Sequence, residues 1–230
     1  MIVSISQPAY LPWIGYFHRI AKSDVAIVLD NVRLERSSKT RFTNRNKIKT
    51  SEGWTWLTVP VKTAGLGQPM ICNVELDTQQ KWANKHCRSI TQSYSQTPHF
   101  AAHRNWLEDF YSQPWTHLAP MLSTSLVYLL DVIGIETPLL FSSNMEVGGQ
   151  KSELILNICK QAGATTYLSG PFGRDYLAAE AFEAAGINIE FDDYKHPVYP
   201  QMHAGFQPYM SVIDLLFNCG DASLRLLRNE

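Results

Sequence analysis

The 230-residue chain is poor in charge, in paired cysteines and in long apolar runs, and each shortage removes a class of function. Charged side chains make up 18% of the sequence and nearly cancel, leaving a formal net charge of -1. No global field therefore steers the chain toward nucleic acid or an anionic membrane. Cys72, Cys87, Cys159 and Cys219 are widely separated and form no CxxC pair, which argues against a zinc ribbon or a thioredoxin-type redox centre. No stretch approaches the roughly 18 uninterrupted apolar residues of a bilayer span. The first residues lack a positive n-region and soon meet Pro8 and Pro12, so no signal peptide is expected. Unpaired cysteines without an export signal point to a reducing cytoplasm. HExxH, GxSxG, Walker, GxGxxG and EF-hand patterns are all missing, so no metal or nucleotide cofactor is assigned.

What is present suits a globular α/β protein. Hydrophobic residues reach 45%, and 13 glycines and 12 prolines are near average usage, which excludes collagen-like and low-complexity classes. Residues 1–6 alternate like a strand, and the prolines at 8 and 12 break it into a loop. Apolar Trp13, Ile14, Phe17, Ile20 and Ala21 then recur at helical spacing. Residues 25–29 form a continuous apolar run closed by Asp30, as in a strand buried on both faces. Strand, short helix and buried strand make a compact βαβ unit with a parallel pair. Residues 54–61 and 74–76 read as strands, and a helical segment over roughly 80–133 ends at the Gly134 cap. A second α/β run follows: strand 135–142, helix 152–162, strand 166–168, helix 176–185 and strand 187–191. Residues 212–217 form a last helix. The expected fold is a single α/β domain over 1–230, with a Rossmann-like, three-layer, mostly parallel sheet and an added helical segment.

Several groups of residues have the chemistry of a site. In parallel α/β sheets ligands bind outside the carboxyl ends of the strands, where Gln7 and Asp30 belong, with Tyr10 and Trp13 as candidate walls. Arg41, Asn44, Arg45 and Lys47 lie in a basic stretch over residues 33–50, which suits either an anionic ligand or a solvated hairpin. Too few aromatics interleave these charges along the sequence for a single-strand nucleic-acid platform, so that partner ranks last. His86 falls four residues after Trp82 on one helical face and titrates nearest neutrality. Ser169, Gly170 and Gly173 lie in a strand-to-helix loop where backbone N–H groups can meet an anion. His196, Tyr199 and Gln201 belong to a proline-pinned, aromatic stretch that either lines a ligand or covers a sheet edge. Together these describe a polar cleft for a small anionic ligand.

The run Gln7-Pro8-Ala9-Tyr10-Leu11-Pro12-Trp13-Ile14-Gly15-Tyr16-Phe17, followed by Asp24 and Asp30, resembles the WbqC-like protein family. So do Asn44 to Lys49, Trp56 to Val61, Lys85-His86, Tyr167 to Gly170, Tyr199-Pro200-Gln201 and Ser211 to Gly220. Arg33 and Phe172 depart from the family's usual residues. The resemblance implies an association with O-antigen and other surface-polysaccharide (lipopolysaccharide) assembly. It also implies an acyl or glycine-type aminoacyl transferase that forms an amide on a nucleotide-linked amino sugar, using an activated donor. On that reading Arg41, Arg45 and Lys47 hold phosphate, His86 or Asp30 takes the ammonium proton, and N–H groups near Gly170 and Gly173 face the oxyanion. Residues Gly15 to Ala21, with Asp24, also resemble the first βαβ of HUP-type nucleotide-binding enzymes. This implies an ATP-dependent amide ligase as an alternative, without the HxGH signature. A non-catalytic scaffold of a polysaccharide assembly is a further alternative.

Overall fold

A computed structural model describes residues 1–35, 42–62 and 67–230. Its centre is a five-stranded parallel sheet of order β5-β2-β1-β6-β7. The strands are β1 (Ile2–Ser6), β2 (Val25–Val28), β5 (Leu139–Phe141), β6 (Thr166–Ser169) and β7 (Asn188–Phe191). Strand alternation divides the core into two layers. Val3, Ile5, Ile27, Leu29 and Tyr167 pack on one face against Ile155, Ile158 and Cys159 of α5 (Ser152–Gln161) and Phe182 of α6 (Ala179–Ala184). Ala26 and Val28 point to the opposite face, toward α1 (Ile14–Ala21) and α7 (Val212–Cys219). The α/β class, with a parallel sheet between helices, is as the sequence predicts.

Three helices, α2 (Trp82–Tyr94), α3 (Phe100–Ser112) and α4 (Leu118–Ile133), follow one another before β5. α4 ends as expected at Gly134, which has φ 84° and returns its N–H to Leu130 and Asp131. The chain closes with α8 (Ser223–Arg228). Among the described residues no helix is long and apolar enough to cross a membrane.

The basic stretch of residues 33–50 contains a strand that its charge conceals. β3 (Arg45–Thr50) pairs antiparallel with β4 (Gly53–Thr58), bringing Lys47 opposite Trp56 and Lys49 opposite Trp54. Asn46, Ile48 and Lys49 are buried, so this hairpin is docked rather than solvated. Residues 74–76 form only isolated bridges, Leu76 to Val61 and Glu75 to His117. The helix expected from residue 176 begins at Ala179, because Pro171–Asp175 forms a 3-10 turn first.

Candidate functional site

β1 is central: the chain moves outward to β2 and β5 on one side, then returns to β6 and β7 on the other. The strand order reverses between β1 and β6, and in open α/β sheets that crevice is where ligands bind. Gln7 is exposed just beyond β1, Ser169 ends β6 and Gly170 follows it. The α1 side chain Arg19 lies across this gap. It donates to Ser6 Oγ at 2.9 Å and presses on Gly170 so closely that a Cβ there would collide with its Nη1. Arg19 Nε and the Tyr194 hydroxyl are buried without a hydrogen-bond partner among the described residues.

A cavity of about 300 Å³ opens beside Arg19, lined by Trp13, Gly15, Pro171, Asp192, Asp193 and Tyr194. The Trp13 ring lies over Gly15, where any Cβ would strike it, and meets Tyr194 edge-on at 5.7 Å. Asp192 is nearly buried. Its Oδ2 lies 3.0 Å from His18 Nδ1 and its Oδ1 accepts from Lys22 Nζ at 3.4 Å. Burial pulls this carboxyl upward, but His18 and Lys22 outweigh it and hold Asp192 below the usual carboxylate range. The crevice thus sets a fixed cation and a fixed anion between aromatic walls, an arrangement that grips a ligand carrying charges of both signs.

The loop leading into α1 is rigidly held. Leu11 is buried at φ 42°, a left-handed conformation unusual for a branched residue. Its carbonyl accepts from Asn46 Nδ2 at 2.6 Å, and the Tyr10 N–H donates to Phe42 at 3.0 Å. Trp13 bridges Ser211, and Val212 N–H reaches the Pro12 carbonyl at 2.8 Å. The hairpin and α7 therefore fix the position of Trp13.

The remaining predicted site residues separate into distinct surroundings. Asp30 closes β2, but its carboxylate accepts from Ser143 N–H at 2.8 Å and from Ser143 Oγ at 2.8 Å. It ties β2 to the turn after β5. His86 lies instead on a pocket between α2 and β4. Its Nδ1 accepts from the Tyr10 hydroxyl at 2.9 Å, and that hydroxyl also meets Tyr111. Tyr10 is fully buried and walls no cleft. Burial, then the Lys85 charge, push His86 down to about 4, against a bond from its ring to the Thr58 carbonyl. The neutral ring has its Nδ1 engaged by Tyr10.

Arg45 stacks over Trp56 at 4.4 Å, and Lys47 lies 5.0 Å from the Trp54 ring. Asn44 is buried; its Nδ2 donates to the Val59 carbonyl at 2.8 Å, while its Oδ1 has no partner among the described residues, and Arg41 lies outside the described residues. Gly173 donates its N–H to the Gly170 carbonyl at 3.0 Å, closing the 3-10 turn. Tyr199 and Gln201 donate to buried Asp214 at 2.8 and 2.7 Å, joined by Tyr94 at 2.9 Å. His196 accepts from Tyr209 N–H and donates to the Pro197 carbonyl. That cluster anchors the segment before α7.

Of the predicted residues, Trp13 and Gly170 meet at the crevice; Arg45, Lys47 and His86 gather around β4 and α2. Sequence reasoning missed Arg19, Asp192 and Tyr194. A polar residue on a helix signals nothing until the sheet order shows which strand ends it spans. Trp54 and Trp56, two apart on one strand, were legible as a shared face. A concavity of about 730 Å³ runs along edge strand β7. Its Arg174 is already stacked on Phe191 and paired with Asp193, so it offers a ligand little unspent chemistry.

The profile of the WbqC-like protein family matches residues 7–226. The chain is 37% identical over 228 residues to the uncharacterized protein Rv1507c of Mycobacterium tuberculosis (strain ATCC 25618 / H37Rv), covering 98% of this chain and 97% of that one. No solved structure matches it.

Proposed function

The chain belongs to the WbqC-like protein family, and we propose that it is an acyl or glycine-type aminoacyl transferase forming an amide on a nucleotide-linked amino sugar in surface-polysaccharide assembly. The observation that carries this reading is the crevice between β1 and β6, where Arg19 and Asp192 oppose one another between Trp13 and Tyr194. An aminoacyl group bears an ammonium and is activated through an anionic leaving group. Asp192 matches the first and Arg19 the second. The sugar amine attacks the acyl carbonyl, a C–N bond forms, and the bond from carbonyl to leaving group breaks. The amine proton passes to the ionised Asp192 carboxylate, which His18 and Lys22 hold in place. Arg19 takes up the negative charge of the departing group. Asp30 and His86 have no part in this scheme, because neither lines the crevice.

A second reading, an ATP-dependent ligase, is favoured by the sheet order. Numbered among themselves, the five strands run 3-2-1-4-5, the order of the nucleotide-binding doubly wound fold. One assay tests both. The protein is incubated with uridine- and thymidine-diphosphate amino sugars, glycine and ATP, or with preformed acyl thioesters, and products are read by mass spectrometry. An amide product that disappears in Arg19→Ala and Asp192→Asn is the expected result, and AMP release marks the ligase. Absence of amide with every donor, or full turnover in both variants, refutes the assignment.

A further inference from the structure

The pocket between β4 and α2 shares no residue with the crevice. Its volume is about 460 Å³, and it is lined on one side by Thr55 to Thr58 and on the other by Lys81, Lys85 and His86. Cations converge on its Trp56. Arg45 sits 4.4 Å from that ring and Lys47 5.9 Å, while Lys81 and Lys85 face it across the pocket. Trp54 adds a second ring, 5.9 Å away and edge-on, with 46% of its surface exposed.

The lysines of this group have no acidic partner among the described residues. Among the described residues no carboxylate lines the pocket, and Lys47, Lys81 and Lys85 form no ion pair. Burial already lowers Lys47, so an unneutralised ammonium is held partly out of water. α2 starts at the pocket with no acidic residue in its first turn and no side-chain cap, adding the positive end of a 13-residue helix. Among the described residues β4 pairs only with β3, so its far edge presents backbone donors and acceptors to the pocket. This combination of converging cations, flat rings and a free strand edge answers to a ligand with phosphates, a flat ring and hydrogen-bonding ring edges.

We propose that the pocket between β4 and α2 is a second ligand site, which binds a nucleoside diphosphate with its phosphates on Lys81 and Lys85 and its base on the Trp54–Trp56 pair. The site stands whether or not an amide is formed in the crevice. It reverses the expectation drawn from the linear sequence, in which the basic residues have few aromatic neighbours. Strand pairing inserts Trp54 and Trp56 among the charges of β3.

Isothermal titration of the full chain with UDP, and separately with inorganic pyrophosphate, tests this. Both bind the unmodified protein. The exposed pair Lys81→Ala/Lys85→Ala weakens both at least tenfold. Trp56→Leu weakens UDP roughly five- to a hundredfold and leaves pyrophosphate within twofold; Trp54→Leu serves if Trp56→Leu does not fold. Arg174→Ala, on the β7 groove outside both sites, leaves both affinities unchanged. No binding of UDP, or binding insensitive to the paired lysine change, overturns the site. Loss of UDP binding in Arg19→Ala alone moves the nucleotide to the crevice and equally overturns it.

Discussion

Acidification isolates the buried imidazole of His86. The ring is 4% exposed, and burial with the neighbouring Lys85 holds it down to about 4, against 6.5 for a free histidine. Above pH 6.5 the ring is neutral in folded and unfolded chains, and its contribution to stability is fully present. Between pH 6.5 and pH 4 the unfolded chain binds a proton that the folded chain refuses, so stability falls as pH falls; below pH 4 the loss is complete. A difference of this size is worth about 3 kcal/mol. With a urea slope of ~3 kcal/mol per molar for a chain of this length, the unfolding midpoint drops by roughly 1 M. His103 and His196 are also lowered by burial, so the informative quantity is the difference between wild type and His86→Asn. Urea titrations of both at pH 7.5, 5.5 and 4.5 should show the variant less stable at neutral pH by a constant amount and less sensitive to acid. An equal acid-induced loss in both proteins refutes the assignment of a neutral, proton-refusing His86.

Three further substitutions probe the remaining clusters. Gly170→Ala drives a methyl group into Arg19 Nη1; amide-forming turnover should fall at least tenfold while the circular dichroism spectrum is kept, and unchanged turnover would separate Arg19 from the chemistry. Asp214→Ala strips the acceptor from Tyr94, Tyr199 and Gln201 in a fully buried setting. It should cost about 3–5 kcal/mol in urea unfolding, with hydrogen exchange rising first in the segment before α7. Asp30→Asn faces an amide group toward the Ser143 donors and should cost about 2 kcal/mol. Turnover should change less than threefold, and a larger loss would return Asp30 to the active centre.

Much of the sheet was legible because its signals are local. The apolar run closed by Asp30 and the alternation before Pro8 need only near neighbours to read, and both became adjacent parallel strands. The hairpin was harder. Arg45, Lys47 and Lys49 look solvated in sequence, yet Lys49 is buried with its ammonium bound to the His203 and Gly205 carbonyls, partners more than 150 positions away. Asp30 looked like a rim carboxylate because it ends a strand. It does end one, but the turn after β5 reaches it first.

The sequence by itself determined the βαβ start, the parallel α/β class, the helical stretch ending at Gly134 and membership of the family, since periodicity, capping and motif order are written in consecutive residues. The tertiary structure alone decided which polar groups face one another. Sheet order carried Asp192 to Arg19 across more than 170 positions, and antiparallel register set Trp56 beside Lys47. Charge and hydrogen bonding act over a few ångströms in space, a distance that spacing along the chain does not encode.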